Sequence, residues 1–134
     1  MKVTLPASLA ATIHAAARAA FPQECCGLIA GVRDGENFHV TALHPARNLA
    51  ASPDRFEIDP ADHFSAHKAA RAAGQAIIGC YHSHPDGKAQ PSTADLAGAG
   101  ENNFLWLIAS NKDLAAFVYL RGVFTGADWV TSSE

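Results

Sequence analysis

No stretch of this chain is long and apolar enough to span a bilayer, and its N-terminus, Met1-Lys2-Val3-Thr4-Leu5-Pro6, lacks the apolar core of a signal peptide. Those two absences lead to the expectation of a cytoplasmic protein with no membrane partner. Basic clusters are missing as well. Ten Lys and Arg stand against 13 Asp and Glu, for a formal net charge of -3 and a pI near 6.1, which argues against nucleic acid as the main partner. Cysteine is scarce, with three in 134 residues and two of them adjacent at Cys25 and Cys26, so a disulfide framework is excluded and a reducing compartment suits the chain. Internal repeats, linkers and low-complexity tracts are absent too. What is present is ordinary for a globular protein: 49% hydrophobic and 17% charged residues, in a length that suits one domain, 1–134, with a core of two or three layers.

Hydrophobic periodicity outlines a mixture of helices and strands. Residues 2–5 are strand-like, and the alanine-rich segment 9–20 predicts a helix with Leu9, Ile13, Ala16, Ala17 and Ala20 on one stripe, stopped by Pro22. Residues 25–32 form an almost wholly apolar strand, and Asp34-Gly35 turns into a second strand over 37–43. Pro45, Asn48, Ser52 and Pro53 mark 44–54 as loop, and Phe56-Glu57-Ile58 alternates like a short strand. Asp59 caps a helix that Pro60 opens and Gly74 terminates near residue 73. After a buried strand at 75–81, strands follow at 103–110 and 114–120 around a turn at 111–113; 122–130 reads as a last strand or a short helical segment, and 132–134 as a frayed end. Helices packed on a central sheet, with connections too long for a meander, make an α/β or α+β sandwich.

The polar chemistry concentrates between Tyr81 and Leu96, in YHSHPDGKAQPSTADL. The apolar residues 75–81 deliver His82 and His84 at a strand end, where side chains two apart face the same way. Roughly 6–7 Å of backbone separates two such imidazoles, a span one metal ion bridges with bonds of about 2.0–2.1 Å. Pro85 ends the strand, and the polar loop 86–91 leads to a helix that Ser92 opens. Asp95 falls in its first turn, where a carboxylate can close a third coordination position and leave the fourth for water, the form of a catalytic zinc site. Ser92 three residues before an acidic side chain is equally a capping box, which needs no metal; the two readings are compatible, because a cap can orient a ligand. Glu24 lies at the entry to the 25–32 strand, where an acidic residue can be a solvated strand end or a catalyst.

Two rival constellations are weaker. Asp62, His63 and His67 share a helix, but the pair at i and i+4 lacks the glutamate of a zincin helix, so an exposed polar face is the better account. A thiol enzyme built on Cys80, Cys25 or Cys26 would need a depressed pKa, whereas apolar neighbours raise it, so all three read as core packing. Tyr81 should point to the sheet face opposite its neighbours.

His82-Ser83-His84-Pro85, then six residues, then Ser92-Thr93-Ala94-Asp95, with Glu24 upstream in Pro22-Gln23-Glu24-Cys25-Cys26-Gly27-Leu28, resembles the signature of the JAMM/MPN+ (JAB domain) zinc metallopeptidases. The resemblance runs from the first helix to the strands after Asn103, without the long insertions that some eukaryotic deubiquitinating relatives use to hold ubiquitin. It implies a cytidine-deaminase-like arrangement, a central mixed β-sheet flanked by helices. It implies one Zn2+ per chain on His82, His84 and Asp95, with Glu24 as the general base and Ser92 as a donor to the oxyanion. The implied substrate is a peptide or isopeptide bond at the C-terminal tail of a ubiquitin-like or sulfur-carrier protein. Small peptides or cell-wall fragments, as in phage-tail relatives, remain an alternative substrate class, and a scaffold of the MPN-minus kind an alternative role, although such relatives lose ligands that this chain keeps. The oligomeric state is left open.

Overall fold

In a computed structural model, which describes residues 1–111 and 113–132, the chain runs β1 (Lys2–Pro6), α1 (Ala7–Ala20), β2 (Cys26–Asp34), β3 (Asn37–Ala46), α2 (Pro60–Ala72), β4 (Ala76–Ser83), α3 (Thr93–Gly98), β5 (Phe104–Ser110), β6 (Asp113–Leu120) and β7 (Val123–Ser132). The turn expected at 111–113 and the frayed end expected at 132–134 fall partly on Lys112, Ser133 and Glu134, which lie outside the described residues; Ser132 belongs to β7.

Local chemistry accounts for the helices. Asp59 accepts the N–H of Ala61 at 2.8 Å, Pro60 occupies the first helical position, and Gly74 leaves α2 at φ 74°. In α1 the N–H of Phe21 still reaches the Ala17 carbonyl, and Pro22, which has no N–H, cannot extend the ladder. Phe56-Glu57-Ile58 is not a strand: it makes a single bridge, Asn48 to Ile58, because its neighbours are occupied in holding a loop. The strand β3 outruns its expected end at Leu43, since His44, Pro45 and Ala46 continue to pair with β2, and Pro45 sits where β1 has already left, so its missing N–H costs no ladder bond on that side.

The strands hydrogen-bond in the order β1-β3-β2-β4-β5-β6-β7 and close into a barrel. The expected sandwich is therefore corrected in this respect. β1 pairs in parallel with β7 over Lys2–Pro6 and with β3 at Val3 and Thr4, which joins the two edges that a sandwich would leave open. The expected mixed sheet with helices on its faces holds. One face packs Val3, Leu5, Ile29, Tyr81, Leu105 and Leu107 with α1 through Ile13, and the other packs Leu28, Ala30, Cys80 and Trp106 with α2 through Ala66 and Ala70. Ile13 is fully buried, a contact of about 1.5–3 kcal/mol. All three cysteines are buried and free, and burial pushes each thiol up, as core packing requires.

A bulge sets the phase of β4. Ile29 pairs with Gly79 and Ala30 with Ile77, so Ile78 is the extra residue. Ile77 and Cys80 consequently face one core and Ile78 and Tyr81 the other. Beyond the bulge alternation resumes, which puts Tyr81 opposite Cys80, as expected, and turns His82 toward Trp106. Next to the bulge, a Cβ on Gly79 would stand 2.2 Å from the Leu105 carbonyl oxygen, a backbone atom that cannot turn aside. Gly79→Ala should cost about 1–3 kcal/mol in urea denaturation, whereas Gly126→Ala, where a Cβ meets nothing within 4 Å, should stay within about 0.5 kcal/mol.

Candidate metal centre

The strand β4 ends at the site. His82 is fully buried there; its ring stacks on Phe56 with centroids 4.4 Å apart and meets Trp106 edge-on at 5.6 Å. Its Nδ1 is buried without a hydrogen-bond partner, so aromatic contacts rather than a second polar group hold the ring. His84 follows as the chain leaves the strand, and its Nδ1 lies 2.8 Å from the Lys88 carbonyl. A carbonyl only accepts, so Nδ1 carries a proton and Nε2 of the neutral ring presents a lone pair. Asp95 comes from the first turn of α3, held by a reciprocal cap: Ser92 Oγ accepts the Asp95 N–H at 3.0 Å, and Asp95 Oδ2 accepts the Ser92 N–H at 2.9 Å. The capping box and the ligand position are thus the same carboxylate.

These groups converge. His82 Nε2 lies 3.0 Å from His84 Nε2, and Asp95 Oδ2 is 3.1 Å from each. A tetrahedral ion with bonds of about 2.0–2.1 Å sets its ligands roughly 3.3–3.4 Å apart, so the triangle need open only slightly to receive one. Two imidazole nitrogens and a carboxylate oxygen at such separations, in a buried pocket, form a donor set that a divalent cation can satisfy. The fit to a borderline divalent metal such as zinc follows from this donor set. Burial works against ionising Asp95, yet the His82 and His84 imidazoles and the Ser92 N–H hold its carboxyl well below the usual range. Burial pulls the His82 pKa down, while at His84 burial is outweighed by Asp95, the Lys88 carbonyl and Glu24 together, which raise it.

Glu24 completes the cluster. Each of Glu24, His82, His84 and Asp95 offers one ligand atom, all within 4.8 Å of one another, and the four residues are buried. Glu24 is not a solvated strand end: it is 2% exposed, Oε1 has no partner, and burial pushes its pKa up to about 7. Its backbone is gripped from two sides. Ser83 on β4 accepts the Cys25 N–H at 2.9 Å, and Asn48 Nδ2 donates to the Glu24 carbonyl at 3.0 Å. Glu24 and Ser92 line one cleft of about 270 Å³ with His84 and Pro85. The structure therefore brings together all five residues singled out from sequence. It does not gather the rival trio: His63 and His67 lie side by side on α2 with tilted rings, but Asp62 is taken by the guanidinium and backbone N–H of Arg47. Sequence reasoning missed Asn48 and Phe56, both in a segment that reads as loop and short strand, and it gave Trp106 no role beyond its strand.

Residues 6–120 match the family described as prokaryotic homologs of the JAB domain. The chain belongs to this family. Among curated relatives, the JAB-family match includes the desampylase of Haloferax volcanii, 40% identical over 66% of this chain and 63% of that protein. It also includes the CysO-cysteine peptidase of Mycobacterium tuberculosis, 28% identical over 83% of this chain and 75% of that protein. The chain thus spans less than two thirds of the desampylase's length. A solved solution structure of a protein from Desulfitobacterium hafniense superposes with a TM-score of 0.90 at 31% identity, over 98% of this chain and 94% of the other. In the described residues no helix is long and apolar enough to cross a membrane.

If the triangle holds a metal, elemental analysis of the purified protein should find about one divalent transition metal per chain, and His84→Ala should lose most of it. His67→Ala, at the rival cluster, should retain it.

Proposed function

We propose that this protein is a zinc-dependent metallopeptidase that hydrolyses a peptide or isopeptide bond at the C-terminal tail of a ubiquitin-like or sulfur-carrier protein. The observation that carries the reading is a buried carboxylate with an unpartnered Oε1, Glu24, set beside a triangle of two imidazoles and a carboxylate. Membership of the JAB family supports it, as do the names of the desampylase and the CysO-cysteine peptidase.

Zinc on His82, His84 and Asp95 would supply a Lewis acid for the scissile carbonyl and lower the pKa of a bound water to about 7. Glu24 supplies the base. With its pKa lifted to about 7 by burial, its carboxylate can take a proton from the attacking water and return it to the departing amine, since a base matched to ambient pH does both. Ser92 Oγ already accepts the Asp95 N–H in the cap, and its O–H is oriented by that bond to donate to the developing oxyanion. A second cleft, about 370 Å³, is lined by Asp95, Ala94, Gly98 and Gly100 together with Phe56 and Trp106. Ala94, Gly98 and Gly100 in its lining would leave room beside Asp95 for an extended glycine-rich tail, which would provide selectivity without insertions.

Intact-mass analysis after incubation with a β-grasp protein carrying a C-terminal extension should show the extension released, and a chelator should abolish the release. Glu24→Gln should lower kcat by roughly 10²–10⁴-fold while leaving the metal content intact. Full activity in that variant would remove the mechanism, and cleavage of short peptides alone would move the substrate to the small-peptide class. Ser92→Gly separates cap from catalysis: glycine costs a helix N-cap only a few tenths of a kcal/mol, yet loss of the hydroxyl should lower kcat by roughly 10²-fold.

A further inference from the structure

Asn48 makes four hydrogen bonds that serve two purposes. Its Oδ1 accepts the N–H groups of Ala50 and Glu57, each at 2.9 Å, and its Nδ2 donates to the carbonyl of Glu24 at 3.0 Å and of Arg55 at 3.4 Å. The acceptor half folds the loop between β3 and α2. The donor half meets the Arg55 carbonyl within the loop and, more closely, reaches out of it to the carbonyl of the residue read above as the base.

The loop has other anchors. Leu49 donates to the Glu57 carbonyl at 2.8 Å and Asp59 to the Arg47 carbonyl at 3.0 Å, and the Arg47 guanidinium pairs with Asp59 and Asp62. Its shape therefore does not depend on the bond to Glu24. Glu24 has far less to rely on. It precedes β2, outside the ladder, and Oε1 of its buried carboxylate touches no donor. The place of that carboxylate is inherited from its backbone, which is held by Ser83 through the next residue and by Asn48 directly.

We propose that Asn48 is a positioning residue for Glu24: its side-chain amide clamps the Glu24 carbonyl and so fixes where the unpartnered carboxylate lies over the His82, His84 and Asp95 triangle. The kinetic part of this proposal rests on the peptidase reading; the structural part does not. Asn48 hydrogen-bonds to none of the His82, His84 and Asp95 side chains, so the clamp acts on Glu24 and not on the triangle.

Asn48→Asp is the discriminating variant. It keeps an oxygen for the Ala50 and Glu57 N–H groups and replaces the donor with an oxygen that repels the Glu24 carbonyl. A crystal structure of this variant should show the loop in place and the Glu24 carboxylate displaced from the triangle, with metal content near that of the wild type. Its kcat should fall roughly 10²-fold at a KM within about twofold of wild type, the signature of a misplaced reacting group. Placed on a Glu24→Gln background it should add no further loss, because both substitutions disable one element. Asn48→Ala, which adds no charge, repeats these measurements should the aspartate variant not fold. A Glu24 carboxylate that keeps its place in both variants, or rate losses that multiply in the double variant, would overturn the proposal. Absence of any hydrolysis by the wild type would instead defeat the peptidase reading, and the crystallographic comparison would still decide the clamp.

Discussion

Two imidazole nitrogens and a carboxylate oxygen meet within about 3.1 Å of one another in a buried pocket. That convergence is costly, and much of the surrounding structure serves to enforce it. The proton on His84 Nδ1 is drawn off to the Lys88 carbonyl so that Nε2 faces inward, Asp95 is locked by its own helix cap, and His82 is wedged between Phe56 and Trp106. Two of these restraints are local to residues 84–95, and the third brings Phe56 and Trp106 from outside that segment. Protein environments that hold unpaired donors in such geometry store a demand for a cation, and this is the physical sense in which the site is prepared.

The same logic explains the fourth member. A carboxylate that lay among hydrogen-bond donors would be a poor base, because those donors would stabilise its ionised form and lower its affinity for a proton. Glu24 is kept apart from donors at Oε1, buried, and steered from its backbone. Division of labour results: polar contacts act on the main chain around Glu24, and Oε1 of its carboxylate is left without a partner.

What could be read from the residues alone depended on how local the determining interaction was. His82, His84, Ser92 and Asp95 were legible because a strand end and a helix cap place them, and both are written in a few adjacent positions. Glu24 was legible as a candidate by type, but its burial arises from contacts with β4 and the distant loop that no local pattern displays. Closure of the sheet was hidden because β1 and β7 come from opposite ends of the described chain, and the residues that pair there look like any half-exposed strand. The bulge at Ile78 was hidden for another reason. Both faces of β4 are buried, so its apolar run carries no alternation from which a change of phase could be seen. Phe56 was misread as part of a strand since alternation over three residues is satisfied equally by a loop aromatic that folds over a neighbour.

The shared oxygen of Asp95 has a thermodynamic meaning. α3 spans six residues, far below the length at which a helix persists on its own in water. Since Oδ2 both receives the Ser92 N–H and forms a corner of the triangle, occupancy of the site and ordering of this turn are linked equilibria. A cation that binds only the ordered form would stabilise that form by mass action, by about 2.7 kcal/mol at a concentration 100 times its dissociation constant. Conversely, any strain that frays the turn would be felt as weakened affinity. With a cation bound there, the short helix would act as part of the ligand shell, and the crossing from β4 to β5 would owe some of its order to the site.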